Sequence, residues 1–341
     1  MVRIDLALIL SILGAVGSTA FAGGRGVVDT SKSPHVKLRS LSMKDVRWTT
    51  GFWANRFELC HKSMLPRLHS TMLDPKCAAQ LNRLKFGAGM IRANPKAVAW
   101  SDGDNYKWIE AMAHAYSITK DPELARLMDE WIAVIAKAQG EDGYISVNMT
   151  GKERWKNCRD HETYNMGHLM TAAVIHYRAT GKTHFLDIAK RVGDYLHATF
   201  VGTNRHVIGY SSIMGVMSLY RATDDAKYLE LANRFIDLYG AGDTESRRTL
   251  KDLSGTDQRQ DRVPFREETE AVGHAVWGTY LYCGVADVVA ETGDPRLLTT
   301  LERIWESVAL RKMDITGSVV YGRLQTKRGD RANEAFGIDY E

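Results

Sequence analysis

His161, Glu162 and His168 stand close together in the stretch RDHETYNMGHLM, residues 159–170. Two imidazoles flanking a carboxylate are the parts of a zinc-dependent hydrolase. That chemistry needs histidines four apart, so that one helical turn brings both nitrogens to one ion. Here the spacing is seven. Two turns return both rings to one face, but about 10.5 Å apart along the axis. One zinc with ligand bonds of roughly 2 Å does not span that distance. The metalloprotease reading fails on geometry. What remains is His161 at a loop-to-helix junction, Glu162 beside it, and His168 two turns deeper as a packing residue. Asp160 fits the N-cap.

Three further groups could do chemistry. In FREETEAVGHAVWGTYLYCG (265–284), Glu267, Glu268 and Glu270 precede His274. The acidic run complements a helix dipole, and Ala271, Gly273 and Ala275 leave room around the imidazole. In SDGDNYKWIEAMAHAY (101–116), Asp102, Asp104, Tyr106, Trp108 and Glu110 combine carboxylates with aromatic rings. Rings that stack on sugar CH faces beside carboxylates that bind hydroxyls make a carbohydrate site. Core packing of Trp108 is the equal alternative. Trp53, Arg56 and, in the acidic Gly-rich turn AQGEDGYI, Tyr144 add to this set. Glu334, in ANEAFGIDYE, follows a Gly/Arg loop and precedes an aromatic, a position open to a general acid, although the sequence alone leaves it as a surface carboxylate. Tyr164 near His161 would suit a polysaccharide lyase on a helical toroid.

The elements that must position these residues are helices. From about residue 104 a pattern recurs: an amphipathic helix, a polar Thr turn, then a second helix. The turns fall at Thr119, Thr180, Thr223 and Thr292. Gly181 and Gly293 suit left-handed helix ends. Asp121-Pro122 and Asp294-Pro295 suit a cap followed by a first-turn proline. The repeat is a series of helical hairpins with irregular spacing, as in a closed toroid with long site-bearing loops at one end. GYISV (143–147) and GSVVYGRLQT (317–326) read as small β-hairpins at its mouth.

The chain has 341 residues, 44% hydrophobic and 25% charged, values of a globular protein with a sizeable core. A net charge of +4, with no basic run interleaved with aromatics, excludes a nucleic-acid footprint. Residues 1–22 carry Arg3, an apolar run and Ala20-Phe21-Ala22, a signal peptide cleaved after Ala22. The expected location is secreted or periplasmic, with no membrane contact after cleavage. Residues 23–40 read as a flexible leader and 41–341 as one barrel domain. Cys60, Cys77, Cys158 and Cys283 form no CxxC pair. Export permits a Cys60–Cys77 bridge, with buried free thiols as the alternative. No phosphate loop, nucleophile elbow or dinucleotide fingerprint is present.

Together, GFWANRF, DNYKWIEA, AQGEDGYI, RDHETYNMGHLMTAAVIHYRATGK, LYRATDDAKYLELANRFID, EAVGHAVWGTYLYCGVADVVAETGD, KMDITGS and NEAFGIDYE resemble the glycoside hydrolase family 127 β-L-arabinofuranosidases, in the family's order from about residue 42 to the end. The resemblance implies an all-α (α/α)6 barrel of helical hairpins. It implies Glu334 as general acid/base, His161 and His274 as sugar contacts, and a retaining mechanism. Trp108, Tyr144 and Glu162 complete the expected substrate-binding set. In the family, a Glu-x-Cys element and a Cys pair just beyond the position of Glu341 bind zinc, one cysteine being the nucleophile. Those residues lie outside this sequence, so the expectation is an incomplete barrel domain over 41–341, truncated at its C-terminus, with zinc held by the full-length family member and no metal ligand set within this chain. The family's His-Glu-rich segment reads GYSSIMGVMSLYRATD here, with Gly209 where a substrate-contacting His is common and His206 three residues earlier. The expected function is a secreted glycoside hydrolase acting on terminal sugars. A non-catalytic sugar-binding protein, a degenerate fragment and the lyase are the alternatives.

Overall fold

The structure, a computed structural model, describes residues 26–77, 79–96, 98–155, 160–203, 205, 211–240, 257–319, 323–325, 331–333 and 335–336, with backbone alone for the two short strands. Four hairpins carry the architecture: α4 Ser101–Thr119 with α5 Pro122–Ala138, α6 Glu162–Thr180 with α7 His184–Phe200, α8 Ser212–Thr223 with α9 Ala226–Leu238, and α10 Ala275–Thr292 with α11 Pro295–Glu306. They follow α1 Gly51–Leu59, a π turn at Cys60–Met64, α2 Leu65–Leu73 and α3 Gln80–Gly87. The helices α4, α6, α8 and α10 pack side by side in that order, and each partner backs it from outside. This is the expected (α/α)6 architecture.

Sequence pattern separates the two layers. Outer helices α5, α7, α9 and α11 are amphipathic and bury one stripe each, such as Leu124, Leu127, Met128, Trp131 and Ile135 on α5. Inner helix α6 is buried on nearly every side, so it shows no single apolar face. The inner layer is drawn tight where side chains vanish. A Cβ on Gly215 of α8 would lie 2.4 Å from the Gly167 carbonyl oxygen of α6, so these backbones touch. Arg221 of α8 forks to Asp287 and Glu291 of α10, each at 2.6 Å.

The four turns share one chemistry. Thr119, Thr180, Thr223 and Thr292 each donate a hydroxyl to the carbonyl four residues back. Each also accepts the backbone N–H two residues ahead. The residue between is left-handed: Lys120, Gly181, Asp224 and Gly293. Asp121, Asp225 and Asp294 then cap the outer helices through their carboxylates.

Five expectations are corrected. GYISV is not a hairpin. Ser146 is extended and leads into a 3-10 turn at Val147–Met149, because the Val147 N–H is taken by the buried Asp102 carboxylate at 2.8 Å and no strand among the described residues pairs with it. In 317–326 only Arg323–Gln325 is a strand among the described residues, paired antiparallel with Arg331–Asn333. The N-cap of α6 is His161, not Asp160. Cys60 and Cys77 are free thiols, and Cys77 and Cys283 are exposed rather than buried. The stretch read as a leader is held against the hairpin-turn end: Arg178 bonds the Gly26 carbonyl at 2.9 Å and Lys32 pairs with Asp224 at 2.7 Å. Residues 1–22, Cys158, His206 and Gly209 lie outside the described residues.

Candidate active site at the mouth of the barrel

Two inner-helix starts build the site. The start of α10 is fixed by a buried polar strip, Asp257–Asp261. The Gln258 carbonyl accepts the His274 N–H at 3.2 Å, and the Gln260 side-chain amide reaches the carbonyls of Val272 and His274. Gly273 is left-handed at φ +74°, and a Cβ there would lie 1.9 Å from the Asp257 carbonyl oxygen, so only glycine lets the strip approach. On the other side, Ala335 bridges His274 and the Phe336 N–H donates to the Gly273 carbonyl at 2.9 Å. Held this way, the His274 ring stacks on Trp277 at 3.9 Å. The buried Arg259 guanidinium lies over the same indole at 4.4 Å. Burial, then the charges of Arg259 and His161, push His274 down to about 4. Its imidazole is neutral near pH 7.

His161 opens α6 in the left-handed region at φ +57°, strain that non-glycine residues keep mainly where a site requires it. Its ring meets Trp100 at 5.4 Å, Tyr164 at 5.6 Å and Trp277 at 6.0 Å. Trp100 is exposed and Trp277 half-buried, so aromatic faces reach solvent beside two imidazoles. Deeper in the barrel, Lys107 Nζ donates to the Tyr164 hydroxyl at 2.6 Å and lies 5.8 Å from the Tyr280 ring. His168 packs against Tyr164 and Tyr280 at 4.6 and 4.9 Å. Burial, helped by Lys107, pushes His168 down to about 3. Tyr164 and His161 touch edge to face, but the phenol oxygen is engaged by Lys107. A lyase base pair would need that oxygen free.

The structure thus brings His161 and His274 together. Tyr144, Glu162 and Trp108 make their described contacts elsewhere. Tyr144 donates its hydroxyl to Glu162, whose other oxygen accepts the Trp155 N–H at 2.9 Å. Both side chains are buried among Trp155 and Tyr195, toward the outer layer. They brace the loop ahead of His161. Trp108 stacks on His69 at 5.3 Å and donates its indole N–H to the Leu65 carbonyl, which is core packing between α4 and α2. Glu334 lies outside the described residues.

Sequence reasoning missed Trp277, Trp100, Arg259, Lys107 and Tyr280. Trp277 and Tyr280 carried a usable signal, lying three and six residues after His274 on one helix face. Arg259 carried none, since it belongs to no periodic segment. The donor set of the ring cluster is nitrogen and aromatic. Cys60 and Cys77 sit on the α1–α3 side and Cys283 is an exposed residue of α10, and among the described residues no group of three or more ligating side chains contains a thiol. The described residues therefore do not form a thiolate zinc centre, and no reaction step is drawn through one. The arrangement fits a neutral polyol: apolar faces for CH groups, and imidazole and hydroxyl groups for its oxygens.

Residues 45–341 match the model of the β-L-arabinofuranosidase GH127 catalytic domain. A non-reducing end β-L-arabinofuranosidase of Bifidobacterium longum subsp. longum is 30% identical over 336 residues, covering 87% of this chain and 50% of that protein. Among solved structures, a GH127 β-L-arabinofuranosidase of Geobacillus stearothermophilus T6 is 30% identical with a TM-score of 0.77, covering 87% of this chain and 49% of that one. A second GH127 β-arabinofuranosidase is 31% identical with a TM-score of 0.75, covering 88% and 46%. The chain spans about half the length of these relatives. With the helical hairpin series and the match over residues 45–341, the chain belongs to the glycoside hydrolase family 127 β-L-arabinofuranosidase catalytic-domain family.

Proposed function

We propose that this chain is the sugar-binding barrel of an exported glycosidase that releases a terminal furanose of the β-L-arabinofuranose type. The observation that carries the reading is the convergence of His161 and His274, from different inner helices, on the indole of Trp277. Two hydrogen-bonding rings and an apolar face suit a small sugar. The β-L-arabinofuranosidase relatives support the sugar class. The family resemblance supports Glu334 as the proton donor to the leaving oxygen and a retaining course. The apolar N-terminal stretch ending at Ala22 supports export.

The test is titration of methyl β-L-arabinofuranoside into the full chain, alongside release of nitrophenol from the corresponding aryl glycoside. Binding should weaken at least tenfold in His274→Ala and in His161→Ala. Release, where it occurs, should fall at least 100-fold in Glu334→Gln with little change in binding. Absence of binding by the unaltered chain sinks the proposal. Binding without release favours the non-catalytic reading.

A further inference from the structure

At the hairpin-turn end of the barrel, a second cluster of ligating groups stands apart from the mouth. Asp129 comes from α5, His176 from the last turns of α6 and His184 from the start of α7. One ligand atom from each lies within 4.8 Å of the other two. His184 Nε2 is 3.4 Å from Asp129 Oδ1. That matches the edge of a tetrahedron whose ligands sit about 2.0–2.1 Å from a zinc ion. The rings of His176 and His184 meet edge to face at 5.1 Å.

What points to a ligand is the set of buried atoms with no hydrogen-bond partner. His176 is wholly buried, and neither Nδ1 nor Nε2 has a partner. Asp129 Oδ1 is also buried and accepts no hydrogen bond, having only the 3.4 Å contact with His184, while its other oxygen takes the Lys182 ammonium at 2.5 Å. A buried imidazole normally satisfies at least its N–H, and leaving both nitrogens bare costs free energy. Asp129 and His184 are partly exposed, at 42% and 43%, which leaves a route for an ion and an open fourth position for water.

We infer that Asp129, His176 and His184 form a binding site for a borderline divalent transition-metal ion such as Zn2+, separate from the sugar site. Two imidazoles and one carboxylate suit zinc and its neighbours rather than Ca2+ or Mg2+, which prefer all-oxygen shells. His161 and His176 lie at opposite ends of α6, about 22 Å apart along the axis. The bound ion ties one outer helix, one inner helix and the next outer helix, closing two hairpins at their turns. Its role is a staple, and its occupancy does not depend on what the mouth binds.

The experiment is calorimetric titration of Zn2+ into the metal-free full chain at pH 7.5, with thermal unfolding followed in the same samples. One equivalent should bind with a dissociation constant in the micromolar range or tighter and raise the midpoint by several degrees. His184→Ala and Asp129→Asn alter partly exposed side chains and should keep the native helical circular dichroism. Each should weaken that equivalent at least 100-fold and abolish the thermal shift. His176 is left in place, because removing a wholly buried ring opens a cavity. Retention of the same equivalent in both variants, or no binding by the unaltered chain, overturns the inference. Retention in His161→Ala and His274→Ala is expected, and its loss there would also overturn it.

Discussion

Replacing Glu162 by Gln tests whether this carboxyl is a brace or a sugar ligand. Glu162 is 4% exposed. Burial is the dominant influence on it and pushes its carboxyl up to about 7 from an ordinary 4.5, against the opposing bonds from Tyr144 and the Trp155 N–H. The fold therefore prefers the protonated acid, and stability is lost as pH rises through that window. The gap, at roughly 1.4 kcal/mol per pH unit, is worth about 3 kcal/mol. Glu162→Gln keeps the shape and one acceptor but cannot ionise. The variant should therefore gain about 2–3 kcal/mol relative to the wild type between pH 5 and pH 8, read from urea unfolding midpoints at several pH values. Because His168 and His274 titrate alike in both proteins, they drop out of the difference. A stability difference that stays constant from pH 5 to pH 8 would refute the argument that burial holds this carboxyl protonated. The brace also predicts that sugar affinity changes by no more than a few-fold, whereas a direct ligand would lose tenfold or more.

Trp108→Ala should cost about 3–5 kcal/mol of stability, as large-to-small core changes do, and leave sugar affinity of the folded protein unchanged; calorimetry above and below the unfolding midpoint separates the two. Gly215→Leu should destabilise by about 3 kcal/mol or prevent folding, since its side chain would enter the Gly167 backbone, and a wild-type denaturation curve would contradict the close crossing. Thr292→Val removes one bond made and one accepted in the α10–α11 turn, and should cost roughly 1–2 kcal/mol in urea unfolding. Trp277→Ala should weaken methyl β-L-arabinofuranoside binding at least tenfold by removing the face shared by His161 and His274, with the helical signal unchanged.

The sequence alone settled the hairpin repeat, because its signals are local. A threonine turn, a left-handed residue and an aspartate cap act within five residues of one another, so the four turns at Thr119, Thr180, Thr223 and Thr292 could be read directly. It also excluded the zinc helix at His161 and His168, since helical rise per residue fixes their separation. Which helix is inner and which outer was only half legible: the outer stripe of α5 is periodic, but α6 is buried all round and hides its face. The site was decided by tertiary structure. Nothing in the spacing says that Trp108 turns toward Leu65 and His69 while Lys107, its neighbour, reaches Tyr164. Arg259, Trp277 and His274 stack only because Gly273 admits the buried strip at Asp257–Asp261. Asp129, His176 and His184 lie on three helices and meet only when two hairpins pack. Local backbone preference carries over short spans of chain, whereas a site is a coincidence of distant residues in space, and that coincidence is set by packing.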